Sequence, residues 1–314
     1  MTLISLLIAL ALERLVGYMS DFRRPALWLR YADGFDATLR RLGLGHAALR
    51  LLLVLLVPVL VVGWVSDVFD SVLLGLLWIV FSVAVLLVCL GPDDLEEDVN
   101  AYTEAVAMED PLRQWRIAAR FLGAAHVPEE PRKRARAVAE SAFAESNNRI
   151  FAVVFWFAVL GPTGAVFYRL VRLLAHLPLE DEKASEVVET DEDEEVALDD
   201  RPESSRLAAG LCALLEWVPA RLAALGYAVT GSFDHAIDGL RSLFWGESQR
   251  MSENTRALLM RSGAGAARLD DMLEDEADAA TLSAVFATVI NHIHRNIIVW
   301  MTVLALFTLG GWLT

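Results

Sequence analysis

Two carboxylates five residues apart, Glu140 and Glu145, lie on a segment with helical character. Ser146-Asn147-Asn148-Arg149 follows directly, where the chain turns apolar. Carboxylates and amides gathered at a membrane surface have the oxygen donors to hold a metal–phosphate ligand. The same residues would equally serve as a helix terminus with its surface charge. His292 and His294 are two apart. On a helix that spacing directs them to different faces, so they do not form a metal pair. Cys89 and Cys212 show no metal-ligand spacing and read as small buried hydrophobes. The sequence has no P-loop, dinucleotide fingerprint, nucleophile elbow or His-Glu-x-x-His pattern. No assembled catalytic set and no metal site is therefore expected, and no cofactor.

The elements that must position these residues are membrane helices. Of the 314 residues 55% are hydrophobic, and mean hydropathy is +0.43. The excess lies in blocks rather than amphipathic stripes, which points to membrane spans and not to a large soluble core. Residues 2–16, 49–65, 72–90 and 297–313 are the expected spans. The first lacks a basic leader and a small-residue cleavage site, so it reads as a retained helix. Trp64, Trp300 and Trp312 fall near block ends, where indole favours the interface. No strand pattern is visible, and the expected class is an all-α polytopic membrane protein.

Two further stretches are shorter or interrupted. Residues 150–175 are broken by Gly161-Pro162-Thr163-Gly164 into halves of roughly ten residues, each too short to cross a bilayer. A re-entrant hairpin is expected there, with a kinked full span as the alternative. Such a hairpin would return Arg169 and Arg172 to the mouth marked by Glu145 and Arg149. Residues 207–230 contain Pro219, Glu216 and Arg221 and read as a partly inserted or broken helix. Residues 91–149 and 232–296 read as cytoplasmic helices.

The net charge of −15 resides mostly in residues 180–203, a run too poor in apolar residues to fold alone, which reads as a disordered linker. No basic domain is present, which excludes a nucleic-acid binder. Arginines cluster after the first span (Arg23, Arg24, Arg30, Arg40, Arg41), after the third (Arg113 to Arg136) and before the last (Arg241 to Arg268). Residues 66–71 carry none. The positive-inside rule then places both termini outside the cytoplasm.

The run Ala139-Glu140-Ser141-Ala142-Phe143-Ala144-Glu145-Ser146-Asn147-Asn148-Arg149, with Phe155-Trp156-Phe157, Gly161-Pro162-Thr163-Gly164 and Tyr168, resembles a stretch of the CbiB/CobD family of membrane synthases. There the pattern is approximately I-E-x-x-A-E-N-T-S-D, an aromatic segment, a Gly-Ala-Pro-Gly break and a Tyr. Val218-Pro219-Ala220-Arg221-Leu222 resembles the family's V-P-A-R-L, and Ser252-Glu253-Asn254 lies at its S-P-N-A-G. The resemblance implies an enzyme that joins a phosphorylated amino alcohol to adenosylcobyric acid with ATP and Mg2+. The departures count against that chemistry. Ser146 stands at a family Asn and Arg149 at a family Asp, and Arg172-Leu173-Leu174-Ala175 replaces N-T-L-D. This altered pattern resembles an AmpE-like branch, which implies an inner-membrane regulatory protein linked to cell-wall recycling and β-lactamase induction, without catalysis. Its implied partners are the lipid bilayer, an anionic cell-wall-derived ligand and a protein of peptidoglycan recycling. A carrier is disfavoured, because charges sit at span ends rather than within spans. The candidate ligand-binding set is Glu140, Glu145, Asn147, Asn148, Arg149, Arg169, Arg172, Ser252 and Asn254.

Overall fold

The computed structural model describes residues 2–16, 26–41, 43, 46–70, 75–90, 95–175, 203–243, 251–273 and 279–310. The acidic run lies outside them except for Glu203. All regular structure among the described residues is helical. The helices are α1 Thr2–Val16, α2 Ala26–Arg41, α3 Ala47–Asp70, α4 Leu76–Cys89, α5 Leu95–Ala107, α6 Pro111–Leu122, α7 Pro131–Ser146 and α8 Ala152–Ala175. They are followed by α9 Glu203–Thr230, α10 Phe233–Leu243, α11 Met251–Ala267, α12 Leu269–Met272 and α13 Ala279–Leu309.

Four helical stretches are long and apolar enough to cross a bilayer: Ala47–Phe69, Pro131–Ala175, Glu203–Thr230 and Ala280–Leu309. Their outward faces carry Trp64, Leu60, Val229, Ile298 and Leu309, each more than half exposed. Contiguous apolar surface of that extent belongs against lipid. Thr2–Leu12 and Leu76–Cys89 are shorter apolar helices. The expected spans 2–16 and 72–90 thus appear as the shorter helices. Within the latter, α4 begins only after Gly75, whose left-handed φ of 77° is incompatible with continuing a helix backwards. Residues 207–230, read from sequence as a partly inserted or broken helix, lie within one continuous 28-residue helix. Pro219 is tolerated inside it. The charges that suggested a break are partnered: Glu216 meets Arg172 at 2.9 Å, and the Arg221 guanidinium lies 3.9 Å above the Trp217 ring.

The hairpin has a definite mechanism. Pro131–Ala175 is one helical run only in name, because Gly161 takes φ 66° and ψ −156° within it. The chain reverses there. The Tyr168 hydroxyl lies 3.3 Å from the Asn148 carbonyl, and Arg172 reaches Glu145 at 3.4 Å. A straight helix would separate residues twenty to twenty-seven apart by about 30–40 Å. The close approach needs Gly164, where a Cβ would collide with the Trp156 carbonyl and lie 2.6 Å from Leu160 Cβ. The second arm, Pro162–Ala175, is about 21 Å long, less than the roughly 30 Å hydrocarbon core.

The first arm leaves α7 through a π-helical turn, Asn147–Phe151. One wider turn rotates the side chains after it relative to those of α7, a distortion often found at functional sites. Behind it sits the aromatic core. Tyr227 of α9 packs edge-on against Phe143 at 5.0 Å and Phe151 at 6.1 Å. Its hydroxyl lies 2.6 Å from Ser146 Oγ. Gly263 of α11 faces the Phe143 ring so closely that a side chain there has no room. Helices α5 and α6 flank α7. Asp110 caps α6 by accepting the Arg113 amide at 2.9 Å, with Pro111 at the first helical position.

Candidate functional site

A cavity of about 240 Å³ opens where α7, the hairpin, α9 and α11 meet. Glu145, Asn148, Arg172, Glu216, Ser252, Thr255 and Arg256 are its polar lining, with the Cys212 thiol. The ends of the hairpin arms bring Glu145 and Asn148 to Arg172, although they are far apart in sequence. Helix α9 supplies Glu216 and Cys212, and α11 supplies Ser252, Thr255 and Arg256.

The polar lining is one charge network. Glu145 Oε2 lies 3.4 Å from Arg172 and 3.6 Å from Arg149, and Oε1 lies 3.4 Å from Arg256. Asn148 Nδ2 donates to the same Oε1 at 3.4 Å. Arg172 bridges Glu145 to Glu216, whose Oε1 also accepts from Tyr168 at 3.0 Å and from Cys212 Sγ at 3.3 Å. Arg149 turns away from the cavity to Asp98 of α5 at 2.9 Å, and Asp98 meets Arg120 of α6 at 3.1 Å. Arg256 is anchored by the Phe121 carbonyl at 2.9 Å and Ser141 Oγ at 2.5 Å. The central side chains, Glu145, Arg149, Arg172 and Glu216, are 13–17% exposed, so their attractions are only weakly screened.

The sequence candidates divide accordingly. Glu145, Asn148, Arg172 and Ser252 line the cavity. Arg149 supports it from behind. Asn147 is fully buried beside it, with its side-chain carbonyl unsatisfied among the described residues. Asn254 is buried on α11 but does not line it. Glu140 and Arg169 do not join the cluster. Glu140 pairs with Arg136 at 2.7 Å one helical turn away, because five residues on a helix rotate it about 140° from Glu145. Arg169 lines a separate, largely apolar cavity with Trp28 and Cys89, since only every third or fourth residue of the returning arm faces Glu145. Asp98, Tyr168, Cys212, Glu216, Thr255 and Arg256 were not among the candidates. Tyr168 carried a signal as the tyrosine of the family pattern, and Glu216 as a carboxylate within an apolar stretch, which normally marks a partner or a function. His292 Nδ1 contacts the Thr288 carbonyl at 2.9 Å, while His294 lies 3.5 Å from Glu96; the two histidines do not converge.

The cavity does not fit a divalent cation. Both oxygens of Glu145 already face guanidiniums and Glu216 Oε1 has three donors, which leaves Glu216 Oε2 as a single open carboxylate oxygen on the lining, too few to hold the ion. Magnesium needs carboxylate oxygens free of competing positive charge. Among the described residues there is no group of three or more His, Cys, Asp or Glu placed to hold a metal.

Fold and site together define a polytopic, all-helical membrane protein with a buried arginine–carboxylate pocket at the mouth of a helical hairpin. The CobD/CbiB protein family model matches residues 6–175, more than half of the sequence. The chain belongs to the CobD/CbiB family. It is similar to the cobalamin biosynthesis protein CobD of Chromobacterium violaceum, with 30% identity over 218 residues, 67% of this chain and 59% of that protein. The chain thus spans less than two thirds of that relative's length. No solved structure matches. These findings correct the expectation of a protein without catalysis: the family and its named relative are biosynthetic, which points to an enzymatic role. The comparisons reach the family and not an AmpE-like branch of it.

Proposed function

We propose that the chain is a membrane-embedded enzyme of cobalamin biosynthesis, of the synthase type with an altered site, and that the arginine–carboxylate cavity is where it binds substrate. The observation that carries this reading is the convergence of Glu145, Asn148 and Arg172, all within the family-matched segment, on one cavity. The reaction implied by the resemblance condenses an amine with a carboxylate. The carboxylate oxygen leaves as phosphate at the expense of ATP, and the amine loses a proton. Glu216 is the group best suited to accept that proton. Its Oε1 is fixed by Tyr168, Arg172 and Cys212, and its Oε2 carries no hydrogen bond among the described residues. Arg172 and Arg256 would hold the phosphorylated substrate, since guanidiniums match phosphate in shape and charge.

Incubation of the purified chain, in detergent, with ATP, Mg2+, adenosylcobyric acid and a phosphorylated amino alcohol tests this. Mass spectrometry is expected to show the coupled amide with phosphate released. Absence of product from folded protein would remove the reading.

A second reading follows from Arg149 and Arg172 standing where the family has acidic and amide residues. It gives the pocket a regulatory, AmpE-like role at the inner membrane, with an anionic cell-wall-derived ligand and a partner in peptidoglycan recycling. Deletion of the gene that leaves β-lactamase induction unchanged would dispose of it. For both readings the proposed topology has both termini periplasmic, which follows from the arginine distribution. A cytoplasm-active reporter fused after Thr314 should stay silent; a signal would reverse the assignment.

A further inference from the structure

We infer that α9 lies in the plane of the membrane instead of crossing it, with an apolar stripe sunk among the lipid acyl chains of the leaflet at the hairpin mouth. The inference does not depend on the enzyme reading.

The first observation is the stripe. Between Leu207 and Val229 the exposed side chains of α9 are Leu207, Leu214, Val218, Leu222, Leu225 and Val229, each 40–69% exposed. Steps of seven, four, four, three and four residues keep them on one helical face. Gly210 is the remaining exposed position, so no exposed polar side chain breaks the stripe. The Arg221 guanidinium is folded back onto Trp217, donating to its carbonyl at 3.0 Å. Under the second half of α9 the stripe opens on an apolar groove of about 470 Å³, lined also by Phe155 and Val159 of the hairpin and Val303 and Phe307 of α13. The groove makes the stripe continuous with the outward faces of those two membrane elements. That continuity assigns acyl chains as its occupant.

The second observation is the course of the helix. Arg172 bridges Glu216 to Glu145, and Tyr227, eleven residues further along α9, meets Ser146, the residue after Glu145. Eleven residues rise about 16 Å along a helix. A span parallel to the hairpin arms would make these two contacts at different depths, yet both fall at the mouth. Helix α11 runs beside α9 from one end to the other. Its first turns share the cavity wall with Ala209 and Cys212, and its Ala266 carbonyl accepts from the Ser232 amide, just past α9, at 2.9 Å. Ser252, Glu253 and Arg261 of α11 are exposed, which suits water and not acyl chains. Over the same length α9 thus has a water-facing helix on one side and its apolar stripe on the other, the arrangement of an interfacial helix. Its middle is fastened to the hairpin. Pro219 has no amide proton to offer the Leu215 carbonyl, and the Trp156 indole donates there instead at 3.1 Å. Cys212 and Glu216 stand on the face of α9 away from lipid, so the cavity lies on the water side of the boundary.

Sidedness tests this. Single cysteines replace exposed residues at either end of α9, Glu203→Cys and Phe233→Cys, with Glu253→Cys on α11 as the reference. Arg206→Cys and Asp234→Cys serve where one of the first pair impairs folding. The native Cys89 and Cys212 are buried, and the unsubstituted chain gives the labelling background. A membrane-impermeant maleimide is applied to spheroplasts and to inside-out vesicles. All three cysteines are expected to react in the same one of the two preparations and to lose that reaction in the other. Ends of α9 that react from opposite faces would overturn the inference. A nitroxide at Leu214 or Leu222, in vesicles of phosphatidylethanolamine and phosphatidylglycerol, reads the occupant. Collisions with oxygen are expected to exceed those with a water-soluble nickel chelate, and a label at Arg261 to show the reverse. Nickel-dominated collisions on the stripe would mean that water covers it. Dipolar broadening between labelled copies would mean that a second copy does. Either result would also overturn the inference.

Discussion

Replacing Glu145 with alanine is expected to destabilise the protein by about 3 to 5 kcal/mol, the scale for removing one partner of a buried ion pair. Glu145 is the common neighbour of Arg149, Arg172 and Arg256, and its side chain is 14% exposed. Without it Arg149, Arg172 and Arg256 lose the counter-charge they share, so the loss exceeds that of any one contact. Two controls isolate the cause. Glu140→Ala removes a carboxylate from the same helix whose partner, Arg136, is 45% exposed, and should cost no more than about 0.5 kcal/mol. Adding Arg172→Leu to Glu145→Ala relieves part of the repulsion and should recover some stability, a coupling that double-mutant analysis reads directly. Melting of the detergent-solubilised variants checks all three. A Glu145→Ala protein as stable as Glu140→Ala would mean that the network contributes little.

The second large effect concerns the hairpin. Gly164→Val is expected to abolish the folded protein, and Gly164→Ala to reduce its yield and stability by at least the roughly 1 to 3 kcal/mol typical of overpacking. The neighbour in the way is the backbone carbonyl of Trp156, which cannot rotate aside as a side chain would. Gly210 is the matched control. It lies in the third turn of α9, and a Cβ there meets nothing within 4 Å. Gly210→Ala should therefore be neutral or stabilise by up to about 1 kcal/mol from helix propensity alone. Comparing monodisperse yield and melting temperature of the two alanine variants distinguishes a steric requirement at the reversal from a general intolerance of membrane helices to change.

The contrast between these residues shows what the sequence could disclose. Gly161-Pro162-Thr163-Gly164 is a local signal, because glycine and proline act through backbone geometry at their own positions. The hairpin was legible from it, and so was the approach of Arg172 to Glu145, which follows from hairpin symmetry. The apolar blocks disclosed an all-helical membrane protein for a similar reason, since burial in lipid is written into composition. Which blocks are long enough was less legible. Pro219 and Glu216 argued for a break in α9, and only the tertiary partners of Glu216, together with the Trp217 ring beneath the Arg221 guanidinium one turn away, make a continuous helix affordable there.

The rest of the site depends on contacts between distant segments. Asp98, Thr255 and Arg256 sit on helices whose sequence gives no sign of facing Glu145, and their packing is decided by interhelical geometry around Phe143, Tyr227 and Gly263. Glu140 shows the opposite error. It matches a family position and lies near Glu145 in sequence, yet helical rotation sends it to Arg136. Function was legible to the level of family, through the Glu145-to-Tyr168 pattern. The inference that altered residues meant lost catalysis went further than one sequence could carry, because a changed ligand set can mark a changed way of binding substrate.

The most direct measurement of the central claim is growth of a cobalamin auxotroph that lacks its own synthase and carries this chain in its membrane. The wild-type chain is predicted to restore growth. Glu216→Gln keeps an oxygen for Tyr168 and Arg172 but cannot accept a proton, and is predicted to fail although present at the same level. Failure of the wild-type chain to support growth, or equal growth with Glu216→Gln, would contradict the assignment of this cavity as the active site of a cobalamin-biosynthesis enzyme.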